Sequence, residues 1–255
     1  MKFGLTYNVF EDSIEILPFS LRAMRKHVDH INVVYQLTSN EGNKAEVDYR
    51  PELEKYKQEG LIDELYEFEP SSGGSSINEI NKRNIGLNIC RGNGCHYVMS
   101  MDSDELYTDE DVERMKKVMD EGYDGACCQM LTYYKKDDYI LDPPEDYYVP
   151  LFYRIHAHTR FEWASNFPVL VDPTRRIPST KIKIFQRNEV QMHHYSYLRK
   201  DIRKKLVNSS AYCNYANQVN KIVEDFEKFN GQYANSAGKI YSVRKLESPP
   251  FKIEI

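Results

Sequence analysis

The chain has 255 residues, of which 41% are hydrophobic, and a formal net charge of −5. That length supports a sizeable core, either as one large domain or as a domain with an appendage. No stretch approaches the ~20 consecutive apolar residues that a bilayer span needs. A strand signal, Lys2-Phe3-Gly4-Leu5, stands at the very start, so no signal peptide and a cytoplasmic location are expected. The five cysteines are odd in number and lack CxxC spacing. They read as free buried thiols rather than zinc ligands or a disulfide framework. Charge is uneven: residues 175–205 carry ten Lys/Arg against Glu189 and Asp201, a net +8 that leaves −13 on the rest. An anionic partner for one face accounts for this, and so does a basic helix face balanced by acidic neighbours.

Through residue 134 the pattern alternates between strand and helix. Residues 2–7 predict a strand, and 13–27 a helix with Asp12 as N-cap. Residues 31–37 are β-branched and apolar, a second strand, and 50–59 form a short helix with Pro51 in its first turn and Gly60 past its end. A third strand at 61–68 and the loop Pro70-Ser71-Ser72-Gly73-Gly74-Ser75-Ser76 follow, and Ser76-Ile77-Asn78-Glu79 fits a capping box opening a helix to Arg91. The strand 97–101, a helix at 109–121 capped by Thr108, and a strand at 124–133 complete the series. Successive βα units imply an α/β fold with a mostly parallel, Rossmann-like sheet covered by helices on both faces. From about residue 135 short strands at 147–155, 167–171, 182–186 and 190–194 lack intervening helices, an antiparallel extension. A long helix is expected over 200–229. With no repeat or low-complexity linker, one domain is expected over 1–255: a first half (1–134), a second, acceptor-side half (135–198), and a C-terminal helix and tail (199–255).

The strand 97–101 runs directly into Asp102-Ser103-Asp104-Glu105. Two carboxylates one residue apart at a strand end sit at the carboxyl edge of the sheet, where open α/β sheets bind ligands. Carboxylate oxygens suit Mg²⁺ or Mn²⁺, whose remaining shell substrate phosphates usually fill. The cluster therefore points to a metal–diphosphate site and a nucleotide-activated substrate. A solvated loop that caps the next helix is the bland alternative.

Three separated motifs occur together: Lys82-Arg83-Asn84-Ile85-Gly86-Leu87, then Met101-Asp102-Ser103-Asp104-Glu105, then His193-His194-Tyr195-Ser196-Tyr197 with Arg199-Lys200. With the N-terminal strand they resemble the family 2 glycosyltransferases of the GT-A fold, whose pattern is R-N-x-G on a helix followed by D-x-D after a strand. The third motif is similar to the H-Y-G-Y…K segment of small bacterial and phage members. The resemblance covers residues 1–205. It implies a metal-dependent transfer of a sugar from a nucleotide-sugar donor, UDP-linked, to a hydroxyl acceptor, with inversion. It implies metal contacts from Asp102 and Asp104 and a third ligand from His194, or else His193. Hydrogen-bonded structural roles compete for both histidines.

The resemblance further implies a donor nucleotide over the first two strand ends, near Thr6, Tyr7 and Asn8 and near Gln36, Thr38 and Ser39. Gln36 stands where members often carry a carboxylate that reads the base. Lys82, Arg83, Ser103, Arg199 and Lys200 are expected at the base or diphosphate, guanidinium forks matching phosphate oxygens. Inversion needs a general base beside the acceptor hydroxyl. Asp142, Glu145, Asp146, Glu162 and Asp172 are the candidates; the aromatic neighbours of Glu162 would raise its pKa. Tyr133, Tyr134, Tyr139, Tyr147, Tyr148, Tyr153 and Trp163 offer faces for stacking, although most suit sheet packing. With the +8 segment they permit a glycan acceptor or a hydroxymethylated base in phage DNA, the glycan being favoured. A non-catalytic nucleotide-sugar or polyanion-binding module and a glycosidase are the rival classes.

Overall fold

The computed structural model describes residues 1–163, 166–235 and 237–255. Strand β1 (Phe3–Val9) is buried along its whole length, as a strand covered on both faces must be. It lies between β2 (His30–Tyr35) and β4 (Tyr97–Asp102), with β3 (Glu64–Glu67) beyond β2, and all of these pairings are parallel. Helices α1 (Leu17–Arg25), α2 (Arg50–Gln58) and α3 (Ser75–Gly92) connect them. After β4 come the two-residue β5 (Glu105–Leu106), α4 (Asp109–Asp120) and the long β6 (Gly125–Tyr134). The expected Thr108 cap is present: Thr108 Oγ1 accepts from Asp111 N while Asp111 Oδ2 accepts from Thr108 N, a reciprocal box.

The second half extends this sheet. Strand β7 (Tyr139–Asp142) pairs antiparallel with the end of β6, and β8 (Tyr148–Arg154) runs antiparallel between β4 and β6. Strands β9 (Ile182–Ile184) and β10 (Gln191–Tyr197) lie parallel along the other edge of β6. Strand β10 also pairs antiparallel with β5, setting His193 opposite Leu106 and His194 opposite Glu105. That pairing carries a segment ninety residues downstream to the acidic turn after β4. Helices α5 (Ile202–Asn208) and α6 (Val219–Glu227) follow, and β11 (Gln232–Ala234) and β12 (Ile240–Lys245) add to β7. Parallel core strands with helices and an antiparallel extension match the expected fold class.

Several local expectations differ. The helix expected from residue 13 starts at Leu17 with Pro18 in its first turn, and Asp12 lies in a 3-10 turn, Glu11–Ser13, instead of capping it. Helix α3 is preceded by Gly74 at φ 92°, and Glu79 turns its carboxylate to Lys82 and Arg83 rather than back to a cap. Residues 167–171 form no strand, only a bridge from Val171 to Tyr148; Pro168 removes one ladder donor. The long helix over 200–229 is broken between α5 and α6 by two 3-10 turns. Ser209 starts the break, its hydroxyl accepting from Ala211 N, the local competition that makes Ser and Asn poor helix formers.

Gly86 fixes how α3 lies on the sheet. A Cβ there would stand 1.9 Å from Thr6 Oγ1 and 2.6 Å from Thr6 Cβ. Neither can move far, because Thr6 is wholly buried on β1. Gly86→Ala should therefore destabilise the protein by roughly 1–3 kcal/mol through overpacking. Urea unfolding checks this, with Gly86→Ala/Thr6→Ala recovering part of the loss.

Candidate functional site

Strands β1 and β4 end side by side, Asn8 in register with Asp102, and their carboxyl ends form the floor of a cleft of about 180 Å³. Asp102, Ser103 and Asp104 line it, with Asn8, Gln36, Lys82 and Arg83 from the donor-side expectations and His194 and Arg199 from the third motif. Glu79, Asn40, Asp12, Asp172 and Lys205 line it as well.

Three guanidinium groups hold the two aspartates. Arg83 on α3 donates to Ser100 Oγ (2.8 Å) and to Asp102 Oδ1 (3.2 Å). Arg175 donates to Asp102 Oδ2 and to Glu105 Oε1, each at 2.5 Å. Arg199 donates to Asp104 Oδ2 at 3.0 Å. Burial works to raise the Asp102 pKa, but Arg175 and Arg83 outweigh it and hold the carboxyl below its ordinary range. Asp104 is held down in the same way, burial being offset by His194 and Arg199. For Glu105 the balance reverses: burial dominates and pushes it up to about 7 despite Arg175.

Glu79 organises the opposite wall. It accepts from Lys82 Nζ (2.8 Å), Asn40 Nδ2 (2.6 Å) and Asn8 Nδ2 (3.2 Å), and Arg83 Nη2 is 3.7 Å away. Lys82 and Arg83, both buried, are thus aimed across the cleft. Asn84 faces away and clasps the backbone of Phe161 with both amide atoms. In Arg83-Asn84-Ile85-Gly86 each polar or small residue has its own partner.

The adjacent histidines separate, because successive strand residues point to opposite faces. His194 Nε2 stands 3.8 Å from Asp104 Oδ1, and burial lowers its pKa to about 4, leaving it neutral at pH 7. His193 is hydrogen-bonded to Tyr133 Oη (2.9 Å) and packs against Phe251. It does not reach the aspartates.

Other expected site residues are placed elsewhere. Thr6 lies beneath Gly86, and Tyr7 is a core residue whose hydroxyl bonds Ser20. The two fully buried residues belong to the sheet interior, not to the cleft. Lys200 is exposed, its backbone N donating to Glu15. Glu145 accepts from Thr132, and Asp146 from Gln129, both away from the cleft. Glu162 pairs with Arg160 (3.0 Å) in a surface hollow beside Asn84 and Arg91. Its aromatic neighbours do not enclose it: Phe161 is buried and Trp163 is 55% exposed. Asp172 alone of the five base candidates lines the cleft. Tyr133, Tyr134 and Tyr153 are buried packing residues. In the sequence Glu79 and Asp12 read only as capping residues and Arg175 only as part of the basic segment, since each meets the site only through the fold.

Among the described residues no group of three His, Cys, Asp or Glu side chains converges to hold a metal by protein ligands alone. Asp104 Oδ1 and the neutral His194 nevertheless face one another, an oxygen and a nitrogen ligand suited to Mn²⁺ or Mg²⁺ whose shell phosphate and water complete. To that extent the residues fit.

Residues 78–207, half of the chain, match the model of Glycosyl transferase family 2. The chain belongs to that family. Its reaction is glycosyl transfer, on the GT-A glycosyltransferase fold. Among solved structures the fold is similar to S. aureus TarS 1-349, at 14% identity and TM-score 0.51 over 91% of this chain and 74% of that one. A second S. aureus TarS structure, also 14% identical, covers 90% of this chain and 44% of its own at TM-score 0.49. No curated protein matches. The family 2 match spans Asn78 to Val207 and so takes in all three motifs. His194→Ala should weaken Mn²⁺-dependent binding of a nucleoside diphosphate by about 10–100-fold, the range seen even for outer-shell metal partners. His193→Phe should leave it unchanged; calorimetric titration with and without Mn²⁺ compares them.

Proposed function

We propose that this family 2 enzyme transfers a sugar from a nucleotide-sugar donor, UDP-linked, to a hydroxyl of a glycan acceptor, with metal assistance and inversion. The observation that carries the reading is the meeting of Asp102, Asp104, His194 and Asp172 in one cleft. Residues 1–134 would supply the donor side, 135–198 the acceptor side, and the segment after 199 would close the cleft with Arg199 and Lys205.

The nucleoside end would lie against Asn8 and Gln36, whose buried amide oxygens have no partner. Negative charge grows on the diphosphate as the sugar–phosphate bond breaks, and Lys82, Arg83, Arg199 and Lys205 are the cations placed to stabilise it. Asp104 and His194 would hold the divalent cation, which when bound supplies Lewis-acid stabilisation of the leaving diphosphate. Asp172 would accept the acceptor's hydroxyl proton. Its Oδ1 is occupied by Thr174 N and Oγ1, both at 2.8 Å, while Oδ2 takes no hydrogen bond from the described residues.

A glycan acceptor is favoured over DNA because four cations of the basic segment are tied to acids within the protein. Arg175 and Arg199 pair with the site's own acids, Lys183 with Glu189, and Lys204 with Glu11 and Glu46. Those four are not free to track a phosphate backbone. A glycosidase reading is weakened by the same pairs, since Asp102 in the grip of two arginines is no proton donor.

The test is turnover of a panel of nucleotide sugars with Mn²⁺ or with chelator, preceded by thermal shifts. A native-state ligand at a hundredfold excess over its Kd adds about 2.7 kcal/mol of stability. Nucleoside diphosphate binding without any sugar transfer would replace the enzyme reading with a binding module. Asp172→Asn should lower kcat about 10²–10⁴-fold with little change in donor KM, the usual worth of a general base. Glu162→Gln should stay close to wild type in the same initial-rate assay.

A further inference from the structure

Arg175 is a buried cation that the family motifs do not include. It closes the 3-10 turn Pro173–Arg175, whose N-cap is Asp172, on the connection between β8 and β9. One nitrogen, Nη2, donates both to Asp102 Oδ2 on the end of β4 and to Glu105 Oε1 on β5. Nε lies 3.9 Å from Asp172 Oδ2, and the Arg175 carbonyl accepts from Tyr153 Oη at 2.9 Å. The turn itself does not need this side chain, because Asp172 Oδ1 already caps it through Thr174 N.

We infer that Arg175 is a positioning residue, its guanidinium fixing the turn that bears Asp172 to the Asp102 end of β4. The inference rests on the assignment of Asp172 and Asp102 made above. Asp102 belongs to the strand end that faces the donor, and Asp172 to the loop that faces the acceptor. A shared guanidinium sets the distance between them. The planar guanidinium fits the place: its Nη2 meets Asp102 and Glu105 while its Nε edge lies toward Asp172, 3.9 Å away. Glu105, almost fully buried, anchors the fork from below. Misplacing a reacting group by about 1 Å costs on the order of a hundredfold in rate.

Two variants test this in the full chain. Arg175→Lys keeps the charge without the fork. Arg175→Met/Glu105→Gln removes the cation together with its anchor, so that Glu105 is not left as a buried unpaired charge. Steady-state kinetics, nucleoside diphosphate affinity and Tm are measured for each. The expected result is a kcat lowered about a hundredfold in both, with donor KM and nucleoside diphosphate affinity within about threefold of wild type and a retained cooperative melt. Wild-type kcat in the double variant would overturn the inference. A raised donor KM at unchanged kcat would overturn it in favour of direct donor binding. Loss of the native melting transition in both variants would also overturn it, assigning Arg175 to the fold alone. A wild-type protein that turns over no nucleotide sugar, or an Asp172→Asn variant with full activity, would instead remove the underlying reading, and these controls are scored separately.

Discussion

The structure depends on two aspartates at one strand end being held by three arginines from three different segments. Arg83 comes from α3, Arg175 from the turn after β8, and Arg199 from the chain just past β10. Asp104 and Glu105 are buried there, and a carboxylate taken out of water without a partner is costly, so Arg199 and Arg175 offset that cost at the end of β4. Such pairs are weak evidence of net stability, since desolvation offsets much of their attraction. Their contribution is geometric: they set where helix, turn and strand meet.

The same residues that satisfy the aspartates surround the space where a diphosphate is proposed to sit. Arg83 and Arg199 belong to both arrangements, and Lys82 is held beside them by Glu79. An incoming anion therefore meets cations already oriented by protein acids. Pre-oriented charge of this kind needs no reorganisation as charge develops, which is where electrostatic stabilisation is most effective. On the proposed function, His194, neutral through burial, would add a nitrogen ligand without adding charge.

Much of this was legible in the sequence, in proportion to how local the governing physics is. The strand–helix alternation, the Thr108 cap and the position of Asp102 and Asp104 at a strand end follow from short-range pattern. Gly86 and Arg83 stand within one helix whose motif is readable, although only the fold gives the reason for the glycine, the approach of Thr6. The choice between His193 and His194 lies one step further. Strand alternation says that they face opposite ways, but only the pairing of β10 with β5 tells which face meets Asp104. Thr6 and Tyr7 misled because β1 is buried on both faces, so nearness to a strand end does not mean exposure. Glu162 misled because aromatic neighbours in sequence need not enclose a side chain, and its partner is Arg160, two residues away. Arg175 and Glu79 were beyond reach: Arg175 meets Asp102 across 73 positions and Glu79 meets Asn8 across 71.

The asymmetric charge of the chain has a structural resolution that bears on the acceptor. The acidic remainder is not separate from the basic segment but interleaved with it, since Asp102, Asp104, Glu105 and Glu11 each take a cation from residues 175–204. Net charge along a chain thus overstates the field that it projects, because ion pairs formed on folding cancel close to their source. Near the cleft Lys205 stands in the wall, while the two buried cations on α3 are paired with Glu79 and Asp102. A positive potential so confined suits a single diphosphate held deep in a cleft. On the proposed function, such a site would serve a nucleotide donor and a compact hydroxyl acceptor.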